Sequence, residues 1–286
     1  MNKYNIQRLQ HYLLEDLITI DLICKKHNIK YWLDGGTLLG AVRHKGFIPW
    51  DDDVDIGMMR SDYNKFIEIF PQENHEFLKL QIFKFKQNDN KVDTTYANPT
   101  CNLKIRDLRV EAVEEYDLSI NNKNQFLFID IFPFDEVNGR NKFLQKLIRE
   151  QTKNIISHLK FNIANYQERC SKYKILHSII KLIPKKYLWL LAKAIYLFGN
   201  FTSNLSIKNK KDFISFGLDC RIRDLFFDKQ QIFPLSTALF EGYELQVPNN
   251  PDYYLRTKYG NYQEIPKNAN KHLHYIKVNF THEQTI

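Results

Sequence analysis

The chain has 286 residues, of which 43% are hydrophobic and 14% are aromatic, including 21 Phe and 16 Tyr. Such a composition supplies enough apolar surface for a packed core and excludes intrinsic disorder and fibrous repeats. Lys and Arg outnumber Asp and Glu by 41 to 33, so the formal net charge is +8 and attraction to polyanions or anionic lipid is expected.

The basic surplus lies in one segment. Between Arg140 and Asn200 there are thirteen Lys or Arg and two Glu, so the rest of the chain carries a net negative charge. No apolar run reaches the roughly 20 residues that a membrane span needs, and Glu15 and Asp16 interrupt the pattern of a signal peptide. The 4 Cys form no C-x-x-C pair and predict reduced thiols. We expect a cytoplasmic protein that could attach to the inner face of a membrane.

The first 70 residues predict a helix, a strand, a helix, a strand and a helix. In chain order these elements cover residues 6–27, 29–33, 37–42, 53–57 and 61–70. Apolar residues at three- and four-residue spacings predict the first helix. Thr37 and Ser61 are the expected caps of the second and third helices.

The remaining elements are less regular. Strands are predicted over residues 78–85, 101–110 and 126–132, and a polar turn over residues 87–94. Residues 141–200 have a helical pattern broken at Pro184, whereas residues 233–265 are dense in Pro, Gly, Asn and Tyr and predict turns. Together these elements indicate an α+β fold.

Asp53 and Asp55 form an Asp-x-Asp pair on a predicted strand. Side chains two residues apart on a strand point to the same face, so both carboxylates can converge on one cation. Hard cations such as Mg²⁺ bind carboxylate oxygens together with substrate phosphates. The flanking Val54 and Ile56 would point into the core and hold the strand rigid.

Gly35, Gly36 and Thr37 open the second helix. Backbone N–H groups and the positive end of a helix attract phosphate there, and glycine lets the phosphate approach closely. A plain tight turn is the alternative for this segment. Its occurrence some fifteen residues before the Asp-x-Asp pair, with apolar strands around both, favours a joint role.

The stretch from Tyr31 to Gly57 resembles the signature of the LicD family. In that family a Gly-Gly/Ser turn precedes an Asp-x-Asp strand, and a third carboxylate follows on a later strand. The segment Phe-Ile-Asp-Ile-Phe-Pro around Asp130 matches the later element, and residues 253–262 resemble the C-terminal end of the family. The match is dense over residues 31–66, patchy to 136, and resumes around 234–266.

The resemblance implies a nucleotidyltransferase-like mixed β-sheet core flanked by helices, with a helical insertion. We therefore expect a catalytic core over residues 1–139, a basic helical subdomain over 140–232, and a C-terminal segment over 233–286 that returns to the core. The resemblance also makes Asp130 the third carboxylate of a metal site with Asp53 and Asp55. The expected cofactor is Mg²⁺, with Mn²⁺ as an alternative.

Several of these residues have a structural alternative. Asp130 lies among apolar residues, where a carboxylate is costly unless paired or bound to metal, and a hydrogen-bonded structural role is open. Asp51 and Asp52 would bind the cation through water or cap the strand, and Asp34 would position a substrate or cap the turn.

Two further groups of residues are candidates for donor binding. The basic residues at the end of the second helix would neutralise phosphate oxygens or form a solvated helix end; they are Arg43, His44 and Lys45. Aromatic residues would form a box for a quaternary ammonium through cation–π attraction, or pack in the core. They are Trp50, Tyr31, Trp32 and Phe134.

The resemblance implies a Mg²⁺-dependent enzyme that transfers phosphocholine, or another phosphoryl-linked small alcohol, from a CDP-activated donor to a hydroxyl of a glycan, releasing CMP. The acceptor would be a cell-surface glycan such as lipopolysaccharide, teichoic acid or capsule, presented on a lipid at the inner membrane surface. A nucleotidyltransferase that leaves NMP on a small acceptor is one alternative, and a noncatalytic protein that binds an anionic polymer is another. No nucleic-acid recognition motif accompanies the basic charge.

Overall fold

A computed structural model describes most of the two ends of the chain and isolated parts of its middle. The described residues are 5–82, 103–114, 125–137, 146–147, 149–150, 187, 190–191, 194, 197, 212–217, 220, 225–265 and 273–281. The polar turn predicted over residues 87–94 and the helix break predicted at Pro184 lie outside them.

Five helices have both ends within the described residues. They are α1 (Ile6–Lys26), α2 (Gly35–His44), α3 (Arg60–Ile69), α4 (Lys229–Ile232) and α5 (Pro251–Tyr259), and a 3₁₀ turn over Phe70–Glu73 follows α3. The apolar face of α1 is buried as its spacing predicts, since Leu9, Leu13 and Leu17 are all inaccessible to solvent. The described residues 146–147, 149–150, 187, 190–191, 194 and 197 are also helical.

The described residues also form strands. They are β1 (Trp32–Leu33), β2 (Val54–Met59), β3 (Leu78–Ile82), β4 (Leu103–Glu114), β5 (Phe126–Val137), β6 (Phe213–Phe216), β7 (Phe227–Asp228), β8 (Ser236–Phe240), β9 (Tyr243–Val247) and β10 (Tyr275–Phe280). The fold is therefore of the mixed α+β class.

A mixed sheet carries the core. Its strands follow the order β1-β2-β5-β4-β10, and β3 pairs with β4. Strands β2 and β5 run parallel, whereas the pairs β1–β2, β4–β5 and β4–β10 are antiparallel. Strands β8 and β9 form a separate antiparallel hairpin. The parallel pair at the centre of the sheet joins two segments more than 70 residues apart in sequence.

Three predictions about local structure are wrong. Helix α2 begins at Gly35 and is capped by Asp34, because the Asp34 carboxylate accepts the Gly35 N–H, so Thr37 lies inside the helix. Helix α3 follows β2 directly and has Met59 at its N-cap position, which places Ser61 in its first turn. Residues 233–265 contain β8, β9 and α5 rather than turns alone.

The chain divides into two compact units. One contains residues 1–81, 103–134 and 227–286, and the other contains residues 82–102 and 135–226. Every residue of the candidate site described below belongs to the first unit. The predicted division at residues 140 and 233 stays a prediction. Among the residues that the structure describes, no helix is both long and apolar enough to cross a membrane.

Candidate active site

Two aspartates face each other across the central parallel strands. Asp55 on β2 is in register with Asp130 on β5, and such strands lie about 4.8 Å apart. Their neighbours Val54, Ile56 and Ile129 are fully buried, as the alternation predicts. Partners in register present their side chains on the same face of the sheet, so the two carboxylates lie side by side.

The glycine turn lies directly against the same acidic region. A Cβ atom added at Gly35 would come 2.5 Å from Asp55 Oδ2, and one added at Gly36 would come 2.6 Å from Asp51 Oδ2. Gly35 also has a φ of +58°, which disfavours any other residue. Two carboxylates therefore lie beside the first residues of α2, where only glycine leaves room for them.

Four carboxylates lie close enough to repel one another, and we call them the aspartate cluster: Asp51, Asp53, Asp55 and Asp130. Burial, followed by the charge of Asp55, raises the pKa of Asp51 to about 7. Burial also raises the pKa of Asp53 to about 7, with Asp51 and Asp52 adding to the effect and His274 opposing it. The pKa of Asp55 is raised by burial and by the charges of Asp53 and Asp130. The cluster has an excess of negative charge.

His274, just before β10, joins the aspartate cluster. Its Nδ1 lies 2.8 Å from Asp52 Oδ1, its Nε2 lies 3.4 Å from Asp53 Oδ2, and its backbone N–H donates to Asp52 Oδ2. The charge of Asp53 raises the pKa of His274 to about 10, although burial opposes it. Asp52 is fully buried, and these contacts hold the start of β10 and this imidazole against the cluster.

Lys104 on β4 lies beneath Asp130. Its fully buried side chain places Nζ 3.0 Å from Asp130 Oδ1, as an ion pair without the alignment of a hydrogen bond, and 2.9 Å from the centre of the Phe128 ring. The ion pair gives Asp130 a charged partner, although not the hydrogen bond that the structural alternative expected. Its role in metal binding stays a prediction.

Asp34 gathers three donors at the start of α2. Its Oδ1 accepts the Gly35 N–H at 2.6 Å, the Tyr254 hydroxyl at 2.8 Å and the Lys258 ammonium at 2.8 Å. Asp34 is fully buried, so these bonds connect α5 firmly to the glycine turn. Of its two open roles, the capping role is confirmed.

The other predicted donor-binding residues lie in different surroundings. The Thr37 hydroxyl accepts the N–H of Asp55 and so fixes β2 against α2. Arg43, His44 and Lys45 lie at the opposite end of α2 from Gly35, about 12 to 15 Å along the helix axis at 1.5 Å per residue. The Arg43 guanidinium there donates to the Tyr262 carbonyl. This distance argues against binding of one phosphate by both ends of α2.

Most of the predicted aromatic box is core. Tyr31, Trp32 and Phe134 are fully buried, the Tyr31 hydroxyl donates to Asp21, and the Trp32 and Phe134 rings meet edge to face with centroids 4.8 Å apart. Their burial favours the core alternative for these three rings. Trp50 is half-buried, and its role in donor binding stays a prediction.

A divalent cation suits the donor set. Asp52, Asp53 and His274 each offer a ligand atom, and these atoms lie within 4.8 Å of one another. Among the described residues, Asp55 and Asp130 are not part of this group of converging atoms, so their part in a metal site with Asp53 stays a prediction. Because the mutual repulsion of buried carboxylates is what such an ion neutralises, the residues present fit a metal site.

Sequence reasoning missed four residues that shape this site. The sequence assigned no role to Lys104, His274 or Lys258, although Lys258 lies in the recognised C-terminal segment. Gln10 on α1 donates to the carbonyls of Ile48 and Asp51 and so holds the loop that carries the cluster. No local signal marked Lys104, because it alternates with Leu103 and Ile105 and such alternation predicts an exposed lysine.

The chain is similar to known proteins. A family model described as LicD/FKTN/FKRP, nucleotidyltransferase domain, matches residues 28–167. The lipopolysaccharide cholinephosphotransferase LicD of Haemophilus influenzae is 27% identical over 286 residues, covering 97% of this chain and 98% of that protein.

Two mammalian relatives match shorter segments. The human ribitol 5-phosphate transferase FKRP is 59% identical over 34 residues, which is 12% of this chain and 7% of that protein. The mouse ribitol-5-phosphate transferase FKTN is 36% identical over 78 residues, 24% of this chain and 17% of that protein. With the glycine turn, the Asp-x-Asp strand and the later aspartate assembled in one place, residues 28–167 of this chain are a domain of the LicD family.

Proposed function

We propose that this enzyme transfers phosphocholine, or a similar phosphoryl-linked small alcohol, from a CDP-activated donor to a hydroxyl of a cell-surface glycan and releases CMP. The carrying observation is the aspartate cluster, which lies against the glycine start of α2. The relative of nearly equal length, a cholinephosphotransferase acting on lipopolysaccharide, supports this choice of group and acceptor. The nucleotidyltransferase-like fold is part of the same proposal.

A divalent cation, Mg²⁺ or Mn²⁺, would be held by Asp53, Asp55 and Asp130, with His274 as a further ligand. When bound, it neutralises phosphate oxygens and the charge that develops during transfer. Proteins need little covalent chemistry for such reactions, since positioning and electrostatic stabilisation supply most of the rate.

The chain's own groups then divide the work. The backbone N–H groups of Gly36 and Thr37 bind a donor phosphate at the positive end of α2. The acceptor hydroxyl oxygen forms a bond to the phosphorus that carries the alcohol, and the bond from that phosphorus to the bridging oxygen breaks, so CMP leaves with the electron pair. Asp130 either completes the metal site or accepts the proton of the hydroxyl.

A donor screen tests the reaction. Purified protein is incubated with CDP-choline, CDP-glycerol, CDP-ribitol or CDP-ethanolamine and a glycan acceptor, with Mg²⁺ or with EDTA, and CMP is quantified. We expect release of CMP that depends on Mg²⁺ with at least one donor. Absence of release from all four donors would contradict the CDP-linked proposal.

The nucleotidyltransferase alternative differs in the phosphorus of the donor that the acceptor attacks. That enzyme would use the same carboxylates but would leave NMP on the acceptor. A donor labelled in the cytidine ring separates the two reactions, because phosphoalcohol transfer leaves all of the label in free CMP. Label in the glycan product would favour nucleotidyl transfer instead.

The enzyme's place of action is the inner membrane surface, where a lipid-linked acceptor would be presented. Five helical residues at three- and four-residue spacings form one exposed apolar face: Tyr187, Leu190, Leu191, Ala194 and Leu197. The four large side chains are 45 to 60% exposed. The sequence around this face carries the basic surplus, and an apolar helix face with surrounding lysines suits an anionic lipid surface.

Vesicle co-sedimentation tests this location. We expect binding to vesicles that contain anionic lipid, weaker binding at high salt, and loss of binding for the double variant Leu190→Asp, Leu197→Asp. The control is Leu22→Asp on α1, where the wild-type side chain is 61% exposed. Equal recovery of wild type in the supernatant with anionic and neutral vesicles at low salt would contradict the membrane location.

A further inference from the structure

Helix α5 brings a lysine to the start of helix α2. Lys258 lies in the last turn of α5, and its side chain is only 13% exposed. Its Nζ lies 2.8 Å from Asp34 Oδ1, the oxygen that also accepts the Gly35 N–H at 2.6 Å. The ammonium therefore lies within about 5.5 Å of the first amide of α2 and close to the glycine turn, where a phosphate or pyrophosphate group would bind.

The position of this lysine is held by packing as well as by charge. The Tyr254 hydroxyl, one turn earlier on α5, donates to the same Asp34 oxygen at 2.8 Å. The Tyr254 ring stacks on Phe227 with centroids 4.1 Å apart and an interplanar angle of 7°. Two side chains of α5 thus end on one carboxylate, which leaves the lysine little freedom to move away from the glycine turn.

Lys258 is positively charged in these surroundings. Burial lowers the pKa of Lys258, but Asp34, and after it Tyr259 and Asp55, outweigh burial and leave the pKa raised. The N-terminal end of a helix is itself positive, so an ammonium there needs a negative partner, and Asp34 is that partner. An ammonium carries three N–H donors, so a lysine bound to Asp34 can also donate to a phosphate.

We infer that Lys258 binds a phosphate of the nucleotide donor, and that Asp34 acts as a positioning residue that holds both Lys258 and the start of α2. The inference rests on the proposed function for the identity of the donor.

The test compares binding of three probes to wild type and variants. The probes are CDP, inorganic pyrophosphate and cytidine, each titrated calorimetrically in the presence of Mg²⁺. Loss of a charged hydrogen-bond donor should weaken CDP and pyrophosphate binding to Lys258→Met by about 10- to 100-fold. Cytidine, which has no phosphate, should bind wild type and variant equally, and Lys258→Arg should recover part of the loss.

A neighbouring cation provides the matched control. Arg256 lies on the same helix with a 61% exposed side chain that pairs with Asp252, away from Asp34. Arg256→Met removes the same unit of charge and should leave binding of all three probes unchanged. A long-range charge effect would instead weaken CDP binding to both variants by a similar factor.

Asp34→Asn tests the positioning role. Asn still caps the helix but no longer pairs with the ammonium. We expect KM for the nucleotide donor to rise several-fold with a smaller fall in kcat. A purely structural bridge would lower the melting temperature of Lys258→Met and Asp34→Asn while leaving the ratio of CDP to cytidine affinity at the wild-type value, and that result would overturn the inference.

The outcomes also separate this inference from the proposed reaction. If wild type binds pyrophosphate and another nucleoside diphosphate but not CDP, the cytidine donor is wrong, and the same comparison on that nucleotide still decides the role of Lys258. If Lys258→Met does not fold, Lys258→Gln and Lys258→Arg take its place, and equal CDP affinity in both would overturn the inference. Absence of binding to wild type by every phosphate probe would overturn both proposals.

Discussion

Two groups of carboxylates in the same compact unit differ in how their charge is balanced. In the first, which we call the Arg109 group, one guanidinium bonds to Glu15 at 2.7 Å, to Asp16 at 2.9 Å and to Asp107 at 3.0 Å. The second is the aspartate cluster, where His274 pairs with Asp53 and Lys104 with Asp130. Within the described part of the chain, no salt bridge reaches Asp51 or Asp55.

We expect this difference to separate a structural group from the proposed metal site. An elevated carboxyl pKa does not separate the two, because burial and Asp107 raise the pKa of Asp16 as well, against the opposing charge of Arg109. What separates them is that every carboxylate of the Arg109 group bonds directly to a cation of the fold. The aspartate cluster retains excess negative charge for a cation from solution, next to a helix end that favours phosphate.

The largest expected effect is on activity. Asp55→Asn should lower the rate of CMP release at least about 100-fold, because a metal ligand is lost. The free energy of unfolding should stay unchanged or rise, since one repelling charge is removed. Asp252→Asn, at a carboxylate 53% exposed, is the control. CMP release by Asp55→Asn at the wild-type rate would remove Asp55 from the metal site.

The opposite result is expected in the Arg109 group. Arg109→Met should lower the free energy of unfolding by about 3 to 5 kcal/mol, since it leaves buried carboxylates without their partner. Urea denaturation measures the change. Glu15→Gln should cost much less, because the Glu15 side chain is 38% exposed and water can replace its partner. A loss below about 1 kcal/mol for Arg109→Met would erase the contrast between the two groups.

The pH dependence of stability should show the excess charge directly. The pKa values of Asp51 and Asp53 rise to about 7 and that of His274 to about 10, so folding increases proton uptake by all three groups. Their contribution is present at low pH and is lost as pH rises through 7 and then 10. In EDTA the melting temperature should therefore fall between pH 5 and pH 8.

Two variations of that experiment identify its source. Asp51→Asn should flatten the decline between pH 5 and pH 7, because one titrating carboxyl is gone. Addition of Mg²⁺ should raise the melting temperature more at pH 8 than at pH 5, since the ion replaces protons. An equal Mg²⁺ effect at both pH values would mean that protons and the metal do not compete for the cluster.

The smallest expected effect concerns the alcohol of the donor. If Trp50 contacts a quaternary ammonium beside the cluster, Trp50→Leu should lower kcat/KM for CDP-choline, because leucine lacks the ring quadrupole. The lost transition-state stabilisation should be about 1 to 2 kcal/mol. Values of kcat/KM for CDP-choline and CDP-glycerol measure the change. A wild-type preference for CDP-glycerol or CDP-ribitol would contradict this role, because those alcohols carry no cation.

Local pattern was enough to predict the acidic strand and the glycine turn. Alternation over residues 53–57 placed Val54 and Ile56 in the core, and the helical spacing of residues 6–24 predicted α1 closely. The resemblance added Asp130, whose register with Asp55 no local pattern reveals. These features depend on neighbours along the chain or on a motif, so they are accessible without a structure.

The positively charged residues of the site could not be predicted in this way. Lys258 meets Asp34 and His274 meets Asp52 across more than 200 residues, and a lone Lys or His in a C-terminal segment has no distinguishing pattern. The helix cap was misassigned for a related reason: both Asp34 and Thr37 are good caps, and only the Gly35 backbone at a φ of +58° decides between them.

Metal binding tests the central claim most directly. Mn²⁺ is titrated calorimetrically at pH 8 into wild type, Asp55→Asn and Asp16→Asn, all without nucleotide. Saturable binding to wild type and Asp16→Asn, with affinity reduced at least about tenfold in Asp55→Asn, is the result that we predict. Equal Mn²⁺ affinity in wild type and Asp55→Asn, or no binding to wild type, would contradict the assignment of the aspartate cluster as the metal site.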